Sequence, residues 1–248
     1  MNGPGKELIA ATPVPFSTLE PFLPLDTFKP ETAVTPLQQP IPGHGFLFVV
    51  NLRYASWTLN GGDQGGDVRA SYIMVQVKAP AGADEQGLNL LGTVHFYVLK
   101  AYTSSKAFQD VLVNAGFPMD FRGDLDFSAY GAARNVSLPG VLRANGTAYF
   151  PTDLPGASVM VWSKGAMGTS VLQVLNLPAT LGYGAATVFS PTGSCLSNLL
   201  RTAPASLDCS AAQPNSDAPG WSCTGPVLGL ANEFPGVNRL SVWLLKGN

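Results

Sequence analysis

Two short stretches of the chain carry side chains that could move protons or orient a polar substrate, and the first lies between residues 92 and 100. His95 can accept or donate a proton near neutral pH, and the phenol of Tyr97 can donate a hydrogen bond to a developing oxyanion. A strand repeat of two residues puts both on one face, with Val94, Phe96 and Val98 on the other. Two alternatives stay open for His95: a solvated face, or a core position where a neighbour satisfies the imidazole.

The second stretch, residues 120–126, gathers three carboxylates and one guanidinium: Asp120, Asp124, Asp126 and Arg122. We predict that Asp120, like His95, moves a proton next to a substrate carbonyl, and that Arg122 holds a carboxylate. The alternative is a cluster of surface ion pairs. The three acidic positions do not match the calcium-binding loop, which needs further ligands and a terminal glutamate, so we expect no metal.

A helix and a turn must position these stretches. Residues 104–115 carry a serine capping candidate and then apolar side chains at helical spacing, which predicts the one substantial helix of the chain. Gly116 can adopt the left-handed conformation that ends a helix, and Pro118 prevents the helix from continuing. The shape of the turn 116–120 therefore follows from its residue types.

The rest of the chain predicts a mainly β protein. Only 12% of residues are charged and 46% are hydrophobic, and 27 Gly and 21 Pro indicate many turns. Strand patterns fall at 46–57, 68–78, 92–101, 141–150, 158–163, 171–177, 185–189 and 240–245. We expect a single domain over residues 1–248, with 1–45 as a wrapping segment and 203–225 as a long loop. Consecutive strands with little helix favour a closed or cone-like antiparallel sheet.

Charge and composition exclude several classes of partner. The formal net charge is −2 with no basic block, so we expect no nucleic acid and no anionic membrane surface as partners. No apolar run reaches the roughly 20 residues of a membrane span, and the first residues lack the layout of a signal peptide. We predict a soluble cytoplasmic protein, secreted only if a leader was removed, with no cofactor. Cys195, Cys209 and Cys223 lack metal-type spacing, so we expect reduced thiols, or a Cys209–Cys223 disulfide if exported.

The order of these elements resembles the acetoacetate decarboxylase family and its relatives. The matching parts are a first strand at 7–12, a short helix at 16–24 that ends in Leu-Pro, the strand containing His95, the helix from Ser104 and the Gly-Phe-Pro turn at 116–118. About half of the chain is covered. The family folds as a cone-shaped, double-layered β barrel around an apolar cavity, so the resemblance implies this architecture here.

Met119 occupies the position of the family's Schiff-base lysine, and Asp120 that of its neighbouring lysine. Methionine has no amine and cannot form an imine, which closes the family's route to decarboxylation at this position. The resemblance places the family's active-site glutamate near Ala70 or Ser71, a further departure, and its cavity arginine near Lys6. The substrate-binding residues that it implies are Lys6, Phe117 and Met119. The other amines that burial could activate as nucleophiles are Lys100, Lys106 and Lys164.

The leading hypothesis is a small-molecule enzyme of secondary metabolism that acts on an apolar carbonyl compound, a keto acid or polyketide, by acid and base catalysis without a covalent imine. A decarboxylase-like lyase, a cyclase and an isomerase are the reaction classes left open. Its predicted catalytic residues are His95, Tyr97, Asp120 and Arg122, and replacing Asp120 with Asn should reduce turnover by at least about tenfold. One alternative is a carrier of the same shape that binds an apolar ligand without reaction. A second is an extracellular structural β domain. Homo-oligomerisation is left open.

Overall fold

A computed structural model describes residues 5–34, 38–56, 58–59, 62–63, 66–154, 158–166, 168–175, 179–191, 196, 208–212, 220–234 and 239–245 of the chain. These residues form a mainly β fold with helices α1 (Phe16–Leu19) and α2 (Lys106–Asn114) and a short 3-10 helix (Glu20–Phe22). None of the helices in these ranges is long and apolar enough to cross a membrane. The strands are β1 (Gly5–Pro15), β2 (His44–Tyr54), β3 (Thr58–Leu59), β4 (Gly62–Asp63), β5 (Val68–Gln76), β6 (Val94–Thr103), β7 (Met119–Phe121), β8 (Asp126–Tyr130), β9 (Ala133–Leu138), β10 (Leu142–Leu154), β11 (Ser158–Gly165), β12 (Gly168–Leu175), β13 (Ala179–Pro191), β14 (Asp208–Ala212), β15 (Gly220–Phe234) and β16 (Arg239–Leu245).

Most of the described strands belong to one sheet of 14 strands. Its order is β16-β12-β11-β6-β5-β2-β1-β15-β13-β10-β9-β8, with β14 paired to β15 and β7 to β6, while β3 and β4 pair separately. Neighbours are antiparallel except that β11 and β7 both run parallel to β6. The β6–β7 pair is parallel because α2 carries the chain back between the two strands. The expected antiparallel sheet is therefore mixed at β6, the strand that holds His95 and Tyr97.

The two faces of β6 lie in two separate hydrophobic clusters. Tyr97 belongs to a cluster with Trp162, whereas Phe96 and Val98 belong to a second cluster that includes the buried side chains of α2. The predicted alternation along this strand is confirmed. Because both faces are covered, His95 is only 5% exposed. The solvated-face alternative for His95 is wrong.

Helix α2 ends as its residue types predict. Ser105 is the N-cap residue, and its hydroxyl accepts a hydrogen bond from the backbone N–H of Phe108 at 3.2 Å. Gly116 has a φ of +85°, the left-handed conformation that follows a helix. The turn then packs on β11, where the Ser163 hydroxyl donates to the carbonyl of Gly116 at 2.8 Å. A Cβ at Gly165 would lie 3.2 Å from the Cα of Gly116, a tight contact, so this close approach favours a glycine.

Two expectations about long segments are corrected by the structure. Residues 5–15 form β1, which lies inside the sheet between β2 and β15; this confirms the first strand expected at 7–12 and removes these residues from the expected wrapping segment. Residues 208–212 and 220–225 of the expected loop belong to β14 and β15, and their register places the backbone of Cys209 opposite that of Cys223. Residues 208–212 and 220–225 are mostly small or polar and have no apolar period. Their pairing therefore depends on the neighbouring strand rather than on a local sequence pattern.

Candidate functional site

The candidate site is a cleft where one edge of β6 changes its partner strand. This edge pairs with β11 over residues 94–97 and with β7 over residues 101–103. Residues 98–100 lie between the two ladders, at a shift in the β5–β6 register. The cleft has a volume of about 370 Å³ and opens to solvent. Its lining residues are Phe22, Tyr97, Val98, Leu99, Val113, Gly116, Phe117, Pro118, Ser163 and Lys164.

Most of the cleft wall is apolar. Phe117 is buried at 3% exposure, and the turn that holds it is attached to β11 through Gly116 and Ser163. Phe22 and Val113 are 43% and 46% exposed. Large apolar side chains at a concave site gain from being covered by an apolar ligand. The cleft is therefore suited to a small molecule with an apolar body.

Tyr97 and Lys164 supply polar groups to this apolar cleft. The Tyr97 ring is held against Phe28, with 4.9 Å between the ring centroids. Burial raises the pKa of Tyr97, and a hydrogen bond with the backbone of Lys164 and the positive charge of its ammonium act in the opposite direction. The phenol is thus a protonated donor beside a cation. The ammonium donates to Oδ2 of Asp26 at 2.5 Å and to Oγ1 of Thr27 at 2.9 Å.

His95 is on the same face of β6 as Tyr97, but it belongs to a hydrogen-bond chain and does not line the cleft. The indole N–H of Trp162, which is fully buried, donates to Nδ1 of His95 at 3.0 Å. Because an indole nitrogen can only donate, Nδ1 carries no proton and the ring proton is on Nε2. Nε2 donates to Oδ1 of Asn89 at 3.0 Å, and the Asn89 amide donates to Asp84 at 2.8 Å.

Burial lowers the pKa of His95, and the nearby charge of Asp84 raises it by a smaller amount. Both ring nitrogens have partners within the protein, so the neutral tautomer is held in place. This is the satisfied core position that the sequence left open, and a catalytic role for His95 stays a prediction. Sequence reasoning missed Trp162 and Asn89, since neither lies in a motif that points to a histidine.

Asp120 and Arg122 are not among the lining residues and form ion pairs near the surface. Asp120 pairs with Nζ of Lys100 at 2.7 Å. Arg122 donates two hydrogen bonds to Asp124, at 2.8 and 2.7 Å, and one to the carbonyl of Pro139 at 2.7 Å. The Arg122–Asp124 contact raises the pKa of Arg122 and lowers that of Asp124. These contacts fit the ion-pair alternative, and the catalytic roles of Asp120 and Arg122 stay predictions.

No group of three His, Cys, Asp or Glu side chains within the described residues is placed to hold a metal ion. The carboxylates of the 120–126 stretch instead have cationic partners: Lys100 pairs with Asp120, Arg122 with Asp124 and Arg69 with Asp126. Each carboxylate is thus neutralised by an organic cation.

The residues implied by the family resemblance lie in different places. Phe117 lines the cleft beside Tyr97. Met119 is 2% exposed and lies in the hydrophobic cluster of α2. Lys6 lies on β1, with its backbone opposite Arg53 of β2. The structure therefore brings Tyr97 and Phe117 together in one cleft and places the other five predicted site residues elsewhere.

A second polar location lies inside the sheet. Asn51 of β2 and Ser71 of β5 are directly opposite each other, and each is at most 1% exposed. The Asn51 amide donates to the carbonyl of Leu8 at 3.3 Å, but Oδ1 of Asn51 and Oγ of Ser71 have no hydrogen-bond partner among the described residues. An amide and a hydroxyl provide neither an acid nor a base of suitable strength. We therefore place the chemistry in the cleft.

The fold and the cleft together define a mainly β protein with an open site of small-molecule size beside the turn that ends α2. Comparison with solved structures identifies the fold as acetoacetate decarboxylase-like. One acetoacetate decarboxylase is 10% identical, with a TM-score of 0.53 over 98% of this chain and 88% of that chain. The enzyme from Legionella pneumophila subsp. pneumophila str. Philadelphia 1 is 12% identical, with a TM-score of 0.51 over 97% and 86%.

The enduracididine biosynthesis enzyme MppR has a similar structure as well. It is 12% identical, with a TM-score of 0.50 over 97% of this chain and 86% of that chain. No family model and no curated protein matches the sequence. At this level of identity the likeness concerns the fold alone. The resemblance seen in the sequence is confirmed for the fold, and it extends over nearly the whole chain rather than about half.

Proposed function

We propose that the protein is a small-molecule enzyme that acts on an apolar carbonyl compound in the β6 cleft without forming a Schiff base. The observation that carries the proposal is that Tyr97, a phenol, and Lys164, whose positive charge acts on that phenol, both line a cleft with apolar walls. A hydrogen-bond donor beside a positive charge stabilises negative charge that develops on a carbonyl oxygen. An apolar substrate that covers the wall of this open cleft would strengthen the interaction by displacing water.

The side chains of the cleft favour one type of reaction. Its lining residues include a phenol, a hydroxyl and an ammonium, but no carboxylate or imidazole. Such a site offers an electron sink without a strong base, which suits decarboxylation of a 3-oxo acid better than proton abstraction. The bond between the α-carbon and the carboxylate carbon breaks, carbon dioxide leaves, and the electron pair moves to the carbonyl oxygen. The resulting enolate then takes a proton from Tyr97 or water.

The absence of an imine has two supports. Met119, at the family's lysine position, has no amine and packs in a core cluster. Lys164 is the one lysine among the lining residues, and it is paired with Asp26. An ion-paired ammonium has no lone pair with which to attack a carbonyl. For His95, Asp120 or Arg122 to act on a substrate, the substrate would have to replace their present protein partners.

A binding or carrier protein is the second candidate. The observation that favours it is the same lack of a carboxylate or imidazole in the cleft wall. In that case the cleft would take up an apolar carbonyl compound and release it unchanged. Turnover, measured separately from binding, distinguishes the two candidates.

The test is to incubate the purified protein with 3-oxo acids of increasing acyl length and to measure carbon dioxide release. Tyr97→Phe keeps the ring and removes the hydroxyl, so we expect turnover to fall by about 10- to 100-fold. Tyr130→Phe removes a hydroxyl from a residue that is 89% exposed and should leave turnover unchanged. Binding without turnover by the unmodified protein would favour the carrier.

Borohydride trapping in the presence of a 3-oxo acid tests the imine-free route. We expect no covalent adduct, because the amine near the cleft is ion-paired. An adduct that disappears in Lys164→Met would show that Lys164 forms an imine, and the proposed mechanism would then be wrong.

A further inference from the structure

The loop that carries Asp26 is anchored on both sides and holds this carboxylate against Lys164, outside the lining of the cleft. Leu19 and Phe28 are fully buried, and the backbone N–H groups of Thr27 and Phe28 both donate to the carbonyl of Pro24 at 2.9 Å. The Asp26 side chain is 69% exposed. A fixed turn therefore sets the position of Asp26. Asp26 lies 138 residues before Lys164 in the sequence, so tertiary packing brings it into contact with β11.

Asp26 and Lys164 form a contact that another anion can replace. Nζ of Lys164 lies 2.5 Å from Oδ2 of Asp26, and both side chains are accessible to solvent. Ion pairs in contact with water are weak, because the solvent screens them and the side chains lose freedom in forming them. The hydrogen bond from Lys164 lowers the pKa of Asp26, so the carboxylate stays ionised at neutral pH. A ligand oxyanion would meet the same cation in the same geometry.

The surroundings of Lys164 show what the rest of such a ligand must be. Phe22 ends the 3-10 helix that precedes the Asp26 turn, and both Phe22 and Val113 line the cleft and are nearly half exposed. A second negative charge on the ligand would find no further cation among the lining residues and would lie near Asp26. The cleft therefore combines one cationic contact with an uncovered apolar wall.

We propose that Asp26 is an intramolecular placeholder, which occupies Lys164 until the oxyanion of an amphipathic monoanionic ligand replaces it. This inference rests on the proposed function for the location of the site, but it does not depend on turnover. The loop backbone stays in place, and the exposed Asp26 side chain would turn into solvent and free the ammonium for the ligand oxyanion. Asp26 then makes the cleft selective, because only a ligand with both an oxyanion and an apolar chain gains enough to replace it.

The test measures binding of hexanoate and of 1-hexanol, its neutral counterpart, by calorimetric titration. In Asp26→Asn the competing charge is gone, so we expect hexanoate to bind roughly tenfold more tightly than to the unmodified protein, with 1-hexanol unchanged. Lys164→Met should bind both probes alike. Asp110→Asn removes a comparable exposed partner, that of Lys106 on α2, and should change nothing. Hexanedioate, which has two charges, should bind more weakly than hexanoate.

Equal or weaker binding of hexanoate to Asp26→Asn overturns the proposal, and so does a lack of binding to both proteins at millimolar concentration. Asp26→Ser is a second variant with the same expectation, and thermal unfolding checks that each variant is folded. The 3-oxo acid assay separates the two proposals. If the protein turns over 3-oxo acids but Asp26→Asn binds hexanoate with unchanged affinity, only the placeholder proposal is wrong. If Asp26→Asn binds hexanoate more tightly but no 3-oxo acid is turned over, only the proposed enzymatic function is wrong.

Discussion

Two polar regions differ in the burial of their side chains. One is the Trp162–His95–Asn89 hydrogen-bond chain on one face of β6, and the other is the ion pairs of Asp120 and Arg122 near the surface. In the first, Trp162 and His95 are almost completely buried and each hydrogen bond has one donor and one acceptor. In the second, the carboxylates are about half exposed. Both regions contain residues that the sequence suggests for catalysis, yet their contacts have different physical consequences.

The two regions differ in how easily a side chain can exchange its protein partner for water or a ligand. A buried nitrogen that loses its partner cannot turn to water, so the loss costs about 1–3 kcal/mol. An exposed ion pair contributes about 0–1 kcal/mol, because water and salt compensate for its loss. The buried chain is therefore expected to hold structure, whereas the exposed pairs are free to change partners. The same reasoning makes the exposed Lys164–Asp26 contact a better candidate for ligand exchange than His95.

The largest effect is expected for Trp162→Phe. This change removes the donor to Nδ1 of His95 and reduces the volume of a fully buried side chain, so it should lower the free energy of unfolding by about 2–4 kcal/mol. Urea titration followed by circular dichroism measures the loss. Tyr130→Phe is the control and should stay within about 0.5 kcal/mol. If Trp162→Phe lowers the free energy of unfolding no more than Asp120→Asn does, the contrast between the buried chain and the exposed ion pairs is wrong.

Asn89→Ala tests the outer end of the buried chain. It removes the acceptor of the Nε2–H of His95, but Asn89 is exposed, so water can replace the amide. We expect a loss of about 0.5–1.5 kcal/mol, smaller than that of Trp162→Phe. Equal losses at both ends would show that the chain acts as a single unit, and the double variant would reveal this as non-additivity.

The pH dependence of stability reports on His95. Burial holds its pKa in the folded protein below the usual value of 6.5, so below that pH the unfolded chain binds a proton more readily than the folded one. The contribution of His95 is therefore present above pH 6.5 and is lost as the pH falls through the folded-state pKa. Wild type should lose more stability between pH 7.5 and 5.5 than His95→Gln, whose side chain does not titrate. Parallel curves would contradict a buried neutral histidine.

The smallest effect on stability is expected for Asp120→Asn. It removes one charge of a solvent-accessible pair with Lys100, so the free energy of unfolding should change by less than about 1 kcal/mol. Turnover is the sharper measurement. If Asp120 moves a proton as the sequence suggests, turnover falls by at least about tenfold while stability is kept. Unchanged turnover would leave Asp120 as a surface partner of Lys100.

Local sequence predicted the helix and the strands of the better-patterned regions. Helix α2 spans Lys106–Asn114 within the expected 104–115, because its cap, apolar spacing and Gly116 all act within a few residues. The strand pattern at 68–78 corresponds to Val68–Gln76. Strands such as β8 and β9, Asp126–Tyr130 and Ala133–Leu138, were missed. Their polar residues form strands because neighbouring strands complete their backbone hydrogen bonds, and a local pattern does not record this.

The candidate site was predictable only in part. Residue types singled out Tyr97 and Phe117, and both line the cleft. Lys164 was one lysine among several, and Asp26 carried no signal at all. Their contact depends on the register of β11 and on the turn after α1, which are separated by more than a hundred residues. Sequence spacing cannot reveal a pair that forms only when distant segments pack.

What the sequence alone determined is chemical and local: the turn at 116–118, the alternation of faces along β6, and the lack of an amine at Met119. These follow from backbone preferences and side-chain composition. Tertiary structure alone decided which polar groups are satisfied and which are available to a ligand. It buried His95 between Trp162 and Asn89 and left Lys164 at an open cleft, because burial and hydrogen-bond partners are set by packing between residues far apart in the chain.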